Sequence, residues 1–128
     1  MIIFLDIDWV LNRWEWLDRD KINILNNIVD ESNAKIVISS NWRLKWHDYV
    51  KKALKDNWAR FQIDWFTGIW WSRWEEIRNF AWKEKYIILD DNSDIESSQH
   101  KFLFSTRGTG LTTLLQRQII NHIKNAKY

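Results

Sequence analysis

The chain has 128 residues, a formal net charge of +2 and no cysteine. This length favours one domain spanning 1–128, which is large enough to bury one hydrophobic core but not two. The lack of cysteine excludes disulfides and thiolate metal sites, and no run approaches the ~20 apolar residues that a membrane span requires. Because the N-terminus leads into an apolar run without a basic leader, we expect a soluble cytoplasmic protein that has no membrane partner.

The charges are distributed unevenly along the chain. Residues 1–96 contain all 17 acids and 14 Lys or Arg, whereas residues 97–128 contain five basic residues and no acid. A basic C-terminal segment is typical either of a surface that meets a polyanion or of a solvated helix.

The first predicted element is a strand that ends in paired acids. Residues 1–5 are a continuous apolar run, which is typical of a buried parallel strand. Asp6 and Asp8 share one face because strand side chains alternate with a period of two. Ligands of open α/β sheets bind outside the carboxyl ends of the strands, so one Asp could attack a substrate while the other moves a proton. An ordinary loop or a calcium site is the alternative for this pair alone.

A helix and a second strand are predicted next. Asp18 is the expected N-cap of a helix that runs to about Ser32 and buries Ile22, Leu25, Ile28 and Val29. Residues 34–39 form a second buried strand, which ends in Ser39, Ser40 and Asn41. A hydroxyl at a strand end, with the backbone N–H groups after it, can hold phosphoryl oxygens, although serine is also common in ordinary loops.

The middle of the chain is less regular. A helix over about 45–56 is expected to bury an apolar stripe formed by Trp46, Tyr49, Val50, Ala53 and Leu54. His47 lies on its polar side and has no partner evident in the sequence. Residues 60–63 are expected to form a short strand, and residues 64–71 a loop.

A short helix begins at Arg73 and runs to about Ala81. Its first residue, Arg73, is spaced for an i,i+3 surface ion pair with Glu76.

The next strand, residues 85–89, leads into a second group of acids: Asp90, Asp91 and Asp94. Carboxylates this close repel one another unless a cation or several N–H groups lie between them. Mg²⁺ prefers oxygen ligands and often binds where a phosphate completes its shell. A calcium loop is the alternative, but the EF-hand spacing and its closing Glu are missing.

The last predicted elements are a strand over 101–104 and a helix that starts near Leu111. The buried face of this helix is Leu111, Leu115, Ile119 and Ile123. Apolar strands that alternate with amphipathic helices predict a three-layer α/β domain with a mainly parallel sheet.

These motifs resemble those of the haloacid dehalogenase-like (HAD) phosphohydrolases. Residues 4–8 and 10–12 resemble motif I, Ser39 lies at motif II, and residues 90–94 have the form of motif IV. Three segments resemble one subgroup in particular, the HAD domains of "Swiss army knife" RNA-repair proteins. They are Ser39-Ser40-Asn41-Trp42-Arg43, Arg73-Trp74-Glu75-Glu76-Ile77 and Gly110-Leu111-Thr112.

The resemblance implies a Rossmann-like core with little or no cap domain and a Mg²⁺-dependent phosphomonoester hydrolase. Asp6 would be the nucleophile that forms an aspartyl-phosphate, Asp8 the general acid and base, and Arg73 the neutralising cation. The phosphate-binding residues would be Ser39, Ser40 and Asn41. The metal ligands would be Asp6, the backbone carbonyl of Asp8, Asp90, and Asp91 or Asp94 directly or through water.

The implied partner is a phosphorylated substrate, and an open site suits nucleic-acid ends or nucleotides. A small-molecule phosphatase and a catalytically silent HAD-like binding module are the alternatives. The sequence does not indicate an oligomeric state.

The tryptophans form the strongest compositional anomaly. The chain has 11 Trp, three Gly and no Pro, which inverts ordinary usage. Several stand where a backbone turn favours Gly, including position 9, where the HAD motif normally has Gly. These are Trp9, Trp58, Trp70, Trp71, Trp74 and Trp82. We hypothesise that many are UGA codons that specify Gly in the source and were read as Trp; the alternative is a genuinely Trp-rich chain. Trp42 belongs to the quoted segment 39–43 and is expected to be Trp.

Overall fold

The computed structural model describes residues 1–12, 16–39, 46–68, 73–81, 84–91 and 102–125. The strands in this part of the chain are β1 (Ile2–Leu5), β2 (Lys35–Ile38), β3 (Ile63–Phe66), β4 (Tyr86–Asp90) and β5 (Leu103–Ser105). The helices are α1 (Arg19–Ser32), α2 (His47–Asp56), α3 (Arg73–Ala81) and α4 (Thr113–Asn125). None of these helices is long and apolar enough to cross a bilayer.

The five strands form one sheet in the order β3-β2-β1-β4-β5, and every neighbouring pair is parallel. β1 lies in the centre and all four of its residues are buried. Its unbroken apolar sequence follows from this position, because a central parallel strand is covered on both faces. The mainly parallel sheet that the sequence predicted is therefore confirmed.

Helices cover both faces of the sheet, which gives the three predicted layers. On one face, Ile3 and Leu5 of β1 pack in a core with residues of α1, α2 and α4. On the other face, Ile2 and Phe4 pack against α3 through Ile77. β1 thus contributes alternate residues to two separate cores.

The predicted start of α1 is confirmed by its cap. The Asp18 carboxylate accepts hydrogen bonds from the backbone N–H groups of Asp20 (2.9 Å) and Lys21 (3.4 Å). These groups have no partner inside the helix, so the cap fixes where α1 begins.

The third strand was misplaced along the chain. The structure places β3 at Ile63–Phe66, so it shares only Ile63 with the predicted strand 60–63 and otherwise lies in the stretch that was expected to be a loop. β3 is an edge strand, and both Asp64 and Trp65 are exposed, so its sequence lacks the buried pattern of the central strands. The Asp64 carboxylate accepts from the backbone N–H of Ile36 at 2.8 Å, and this bond helps to fix the edge strand.

The buried stripe of α2 was only partly right. Val50 and Leu54 are buried, but Trp46 is 86% exposed and Tyr49 is 56% exposed. Trp46 is the N-cap and lies before the helix, and α2 packs near the sheet edge, where there is less surface to bury its other residues. His47 has a partner after all, because its ring stacks on Phe66 with centroids 3.7 Å apart.

Candidate active site

Polar residues gather at the carboxyl edge of the sheet. Backbone hydrogen bonds continue one step past the strand ends: the N–H groups of Asp6, Ser39, Thr67 and Thr106 donate to carbonyls of neighbouring strands at 2.9–3.0 Å. With Asp90, which ends β4, these residues form a row across all five strands. The row accounts for five of the eight buried polar residues in the described part of the chain. Burying polar groups costs free energy, so this concentration marks a candidate site.

Three carboxylates come together in the middle of this row. Asp6 and Asp90 are buried and Asp91 is half-buried, and each offers an oxygen that lies within 4.8 Å of the other two. They come from adjacent central strands, because β1 pairs directly with β4. Of the predicted metal ligands, the structure brings together the side chains of Asp6, Asp90 and Asp91, and their role as ligands stays a prediction.

The Asp6 carboxylate is also oriented locally. Its Oδ1 accepts a hydrogen bond of 2.9 Å from the backbone N–H of Ile7. The backbone N–H of Asp6 donates to the carbonyl of Leu89 on β4. Both contacts hold Asp6 at the end of the rigid central strand, where it can act as a metal ligand or a nucleophile.

The Asp8 side chain has a different environment, since it is exposed and lies in the turn that follows β1. The carbonyl of Ile7 closes this turn by accepting from the N–H groups of Val10 (3.2 Å) and Leu11 (2.9 Å). Asn12 donates from Nδ2 to Asp8 Oδ1 at 2.9 Å. The acid cluster does not include the Asp8 carboxylate, so the two acids of the Asp-x-Asp pair occupy separate positions. The assignment of the Asp8 backbone carbonyl to a metal stays a prediction.

Trp9 adopts a backbone conformation that suits glycine. Its φ is +62°, in the left-handed region that bulky residues rarely enter. Trp58, which follows α2, also has a positive φ, of +76°. Both positions were expected to favour glycine on sequence grounds. Trp74, by contrast, is the second residue of α3 and needs no glycine.

Several predicted site residues lie wholly or partly outside the described residues. Ser40, Asn41 and Asp94 are among them, and so is the side chain of Arg73. Arg73 begins α3, in the connection that leaves the carboxyl end of β3. Ser39 is buried in the polar row.

Glu76, the partner of Arg73 in the alternative ion pair, is buried. It is only 7% exposed. It packs against Gly68 so closely that a Cβ there would lie 2.7 Å from Glu76 Oε2. Glu76 is therefore not on a solvated helix face, and its pairing with Arg73 stays a prediction, because the Arg73 side chain lies outside the described residues.

Sequence reasoning missed three residues of the site: Asn12, Thr67 and Thr106. Thr67 and Thr106 are the residues directly after β3 and β5. A polar residue at the end of a parallel strand is the signal that identified Asp6 and Ser39, and it would have identified Thr106 if β5 had been placed correctly. Asn12 lies within motif I, and only its hydrogen bonds reveal its role.

Comparison with known proteins identifies the family. The model of the HAD domain in Swiss Army Knife RNA repair proteins matches residues 2–114, which span all five strands and the start of α4. No curated protein and no solved structure matches the chain. The acid cluster at the ends of β1 and β4 agrees with the HAD motifs. The chain belongs to the family of HAD domains found in Swiss Army Knife RNA repair proteins.

Proposed function

We propose that this protein is a Mg²⁺-dependent phosphomonoester hydrolase that works through an aspartyl-phosphate on Asp6. The observation that carries the proposal is the cluster of Asp6, Asp90 and Asp91, whose oxygens lie within 4.8 Å of one another at the carboxyl edge of the sheet. Family membership supports it independently. The exposed Asp8 beside the cluster supplies the second carboxylate that the reaction needs.

The cluster suits a hard divalent cation. Mg²⁺ holds oxygen ligands at about 2.0–2.1 Å, so ligands on opposite sides of the ion are about 4 Å apart. The three carboxylate oxygens lie within 4.8 Å of one another, which is near this span, and two of the three residues are buried. Buried like charges repel strongly without a counter-ion, which favours a bound cation over three bare carboxylates. Asp6, Asp90 and Asp91 would hold a Mg²⁺, which would supply positive charge beside the transferring phosphoryl group.

In the first step, an oxygen of Asp6 attacks phosphorus. The new O–P bond forms as the bond from phosphorus to the leaving oxygen breaks, and that oxygen keeps the electron pair. Asp8 gives it a proton, so that an alcohol leaves instead of an alkoxide. The rigid placement of Asp6 at the end of β1 favours in-line attack.

In the second step, water displaces the Asp6 carboxylate from phosphorus. Asp8, now ionised, takes a proton from a water molecule as that water attacks the phosphorus of the aspartyl-phosphate. The bond between Asp6 and phosphorus breaks, and inorganic phosphate is released with Asp6 restored. One residue thus serves as acid and then as base, which requires that Asp8 be reached by both the leaving oxygen and water. Its exposure agrees with that role.

The charge on the transferring phosphoryl group needs further partners. We assign these to Ser39, Ser40 and Asn41 after β2 and to Arg73 at the start of α3. Ser39 lies in the polar row, beside Asp6, because its N–H donates to the carbonyl of Leu5. Asp94 remains the proposed second choice for a metal ligand, after Asp91.

For the substrate we propose phosphorylated nucleic-acid ends or nucleotides. The family is named for RNA repair proteins, and the described residues contain no additional domain that would cover the carboxyl edge. A small-molecule phosphatase is the alternative. A silent binding module is favoured by one observation, the bulky Trp9 in a left-handed turn next to Asp8.

Phosphate release separates these functions. The protein is incubated with 3′- and 5′-phosphorylated oligonucleotides, nucleotides and sugar phosphates, with Mg²⁺ or with EDTA, beside Asp6→Asn. Release that needs Mg²⁺ and disappears in Asp6→Asn supports the hydrolase, and a preference for oligonucleotides supports the nucleic-acid substrate. Equal turnover of sugar phosphates favours the small-molecule enzyme. A folded protein that releases no phosphate from any substrate contradicts the proposal.

A further inference from the structure

Asn12 makes two side-chain hydrogen bonds inside the turn that follows β1. Its Oδ1 accepts from the backbone N–H of Trp9 at 3.0 Å, and its Nδ2 donates to Asp8 Oδ1 at 2.9 Å. The residue is only 3% exposed. A backbone N–H can only donate and a carboxylate can only accept, so this pair of partners permits a single orientation of the Asn12 amide.

The backbone beside Asn12 is also held in place by contacts with residues near the start of α1. Asn12 forms an isolated antiparallel bridge with Leu17, and the N–H of Asp18 donates to the carbonyl of Leu11 at 2.8 Å. Asp18 in turn caps α1. The amide is thus anchored to the end of a helix, and it holds one oxygen of the exposed Asp8 carboxylate.

We propose that Asn12 is a positioning residue that orients the Asp8 carboxylate for the acid step. The bond from Asn12 Nδ2 to Asp8 Oδ1 fixes the direction in which the carboxylate faces, because the Asn12 amide is itself buried and held by the N–H of Trp9. The inference rests on the proposed function, since it concerns the acid step of that reaction.

A consequence for substrate dependence follows. Help from a general acid matters most when the leaving group is a strong base, such as an alkoxide, and little when it is an acidic phenol. An enzyme whose acid is misdirected should therefore lose activity on alkyl phosphates and keep it on activated aryl phosphates. The parameter to follow is kcat/KM, because it covers only the steps up to formation of the aspartyl-phosphate and omits its hydrolysis.

The experiment compares wild type, Asn12→Ala and Asn12→Asp on a graded series from p-nitrophenyl phosphate through phenyl phosphate to an alkyl phosphate. Asn12→Ala loses both hydrogen bonds. Asn12→Asp keeps an acceptor for the Trp9 N–H but replaces the donor to Asp8 Oδ1 with a second carboxylate, which repels the Asp8 carboxylate. We expect both variants to lose about 100-fold in kcat/KM for the alkyl phosphate and less than about threefold for p-nitrophenyl phosphate.

Asn26 provides a matched structural control. It is 1% exposed, and its amide also makes two hydrogen bonds. Its Nδ2 donates to the carbonyl of Trp58, and its Oδ1 accepts from the backbone N–H of Arg60. These contacts lie just before β3, at the amino ends of the strands, whereas the acids lie at the carboxyl ends. Asn26→Ala should lower the melting temperature as Asn12→Ala does and leave the dependence on leaving group unchanged.

A double variant tests whether the effect passes through Asp8. If Asn12 acts by orienting the Asp8 carboxylate, adding Asn12→Ala to Asp8→Asn should cost no further kcat/KM on the alkyl phosphate. Losses that multiply, or an equal loss on every substrate in the Asn12 variants, overturn the inference while the proposed function stands. A wild-type protein that hydrolyses no member of the series overturns the proposed function and the inference together.

Discussion

The Thr106 hydroxyl donates a hydrogen bond of 3.0 Å to the carbonyl oxygen of Trp9. The backbone N–H of Thr106 donates to the carbonyl of Asp90 at 2.9 Å. One buried threonine therefore joins the turn that carries the proposed acid to the strand that carries a proposed metal ligand. The catalytic geometry depends on this link, because Asp8 and Asp90 lie on separate segments of the chain.

Replacing this hydroxyl should weaken both stability and activity. Thr106→Val keeps the shape of the side chain but leaves the Trp9 carbonyl without this donor, which should lower the free energy of unfolding by about 1–2 kcal/mol. We expect kcat to fall more than KM rises, since the substitution loosens the turn without removing a substrate contact. Urea denaturation and steady-state kinetics measure the two effects.

Thr67→Val is the matched control for stability. Thr67 is also buried after a strand, but its hydroxyl donates over a longer distance, 3.4 Å, to the carbonyl of Ile38 and does not reach the turn. It should destabilise the protein less than Thr106→Val does. An equal loss of stability in both variants would show that the hydrogen bond from Thr106 to Trp9 stabilises the fold no more than the bond from Thr67 to Ile38 does.

The acid cluster predicts that Mg²⁺ stabilises the folded protein. A ligand that binds only the native state adds about 2.7 kcal/mol at 100 times its dissociation constant. Asp90→Asn should lose most of this gain. In EDTA the same variant should be more stable than wild type, because it removes repulsion among three carboxylates. Urea denaturation with Mg²⁺ or EDTA gives both numbers.

Asp48→Asn is the control for the metal experiment. Asp48 is an exposed acid in the first turn of α2 and is not part of the cluster. The removal of one negative charge there should leave the Mg²⁺ effect unchanged. If Asp48→Asn and Asp90→Asn respond to Mg²⁺ in the same way, the cation is acting on net charge and not at the cluster.

Asp8→Asn should trap the phosphorylated enzyme. p-Nitrophenol leaves without a proton donor, so Asp6 can still be phosphorylated, but no base then activates water. We expect kcat to fall by about 10²–10⁴-fold, and one phosphoryl group per chain to appear in the intact mass after acid quenching. Asp6→Asn should show no such mass. Turnover in Asp8→Asn without a trapped phosphoryl group would contradict the two-step mechanism.

The sequence predicted the central elements well because they are covered on both faces. β1 and most of β2 and β4 are apolar runs, and the acids at the ends of β1 and β4 were assigned to one site through their resemblance to the HAD motifs. β3 was misplaced because Asp64 and Trp65 are exposed at the edge. An edge strand is defined by its partner, and the partner cannot be read from a local pattern.

The acids of the site were predictable and the residues that position them were not. Asp6 directly follows β1 and Asp90 ends β4, and the parallel pairing of these two strands brings them together. Thr106 contacts Trp9 through a hydrogen bond between segments that are far apart in sequence, and that contact depends on the path of the chain after β5. Asn12 is close to Asp8 in sequence, but only the folded turn shows that both ends of its amide are used.

The left-handed backbone at Trp9 predicts that glycine improves the protein. Trp9→Gly should raise the free energy of unfolding by about 1 kcal/mol, because glycine adopts a φ of +62° without strain. It should also raise kcat/KM, since it removes a bulky side chain next to Asp8. Trp58→Gly should stabilise less, because it also loses the contact with the Arg19 guanidinium 4.2 Å from its ring.

Trp65→Gly is the opposite control for the same chemical change. Trp65 lies in β3 and is not among the residues with positive φ. Glycine in a strand costs about 0.5–1 kcal/mol, so this variant should be less stable than the parent chain. If all three glycine variants shift stability in the same direction, backbone conformation is not the cause.

The positive φ values also predict what the gene contains. If positions 9 and 58 are glycine in the source, their codons should be UGA. The codon for Trp42 should be UGG, because that residue belongs to segment 39–43, which resembles the family. Peptide mass spectrometry of the protein from its source should then find Gly at 9 and 58 and Trp at 42. UGG at codon 9 would instead make Trp9 genuine, and its strained turn beside Asp8 would favour the silent binding module over the hydrolase.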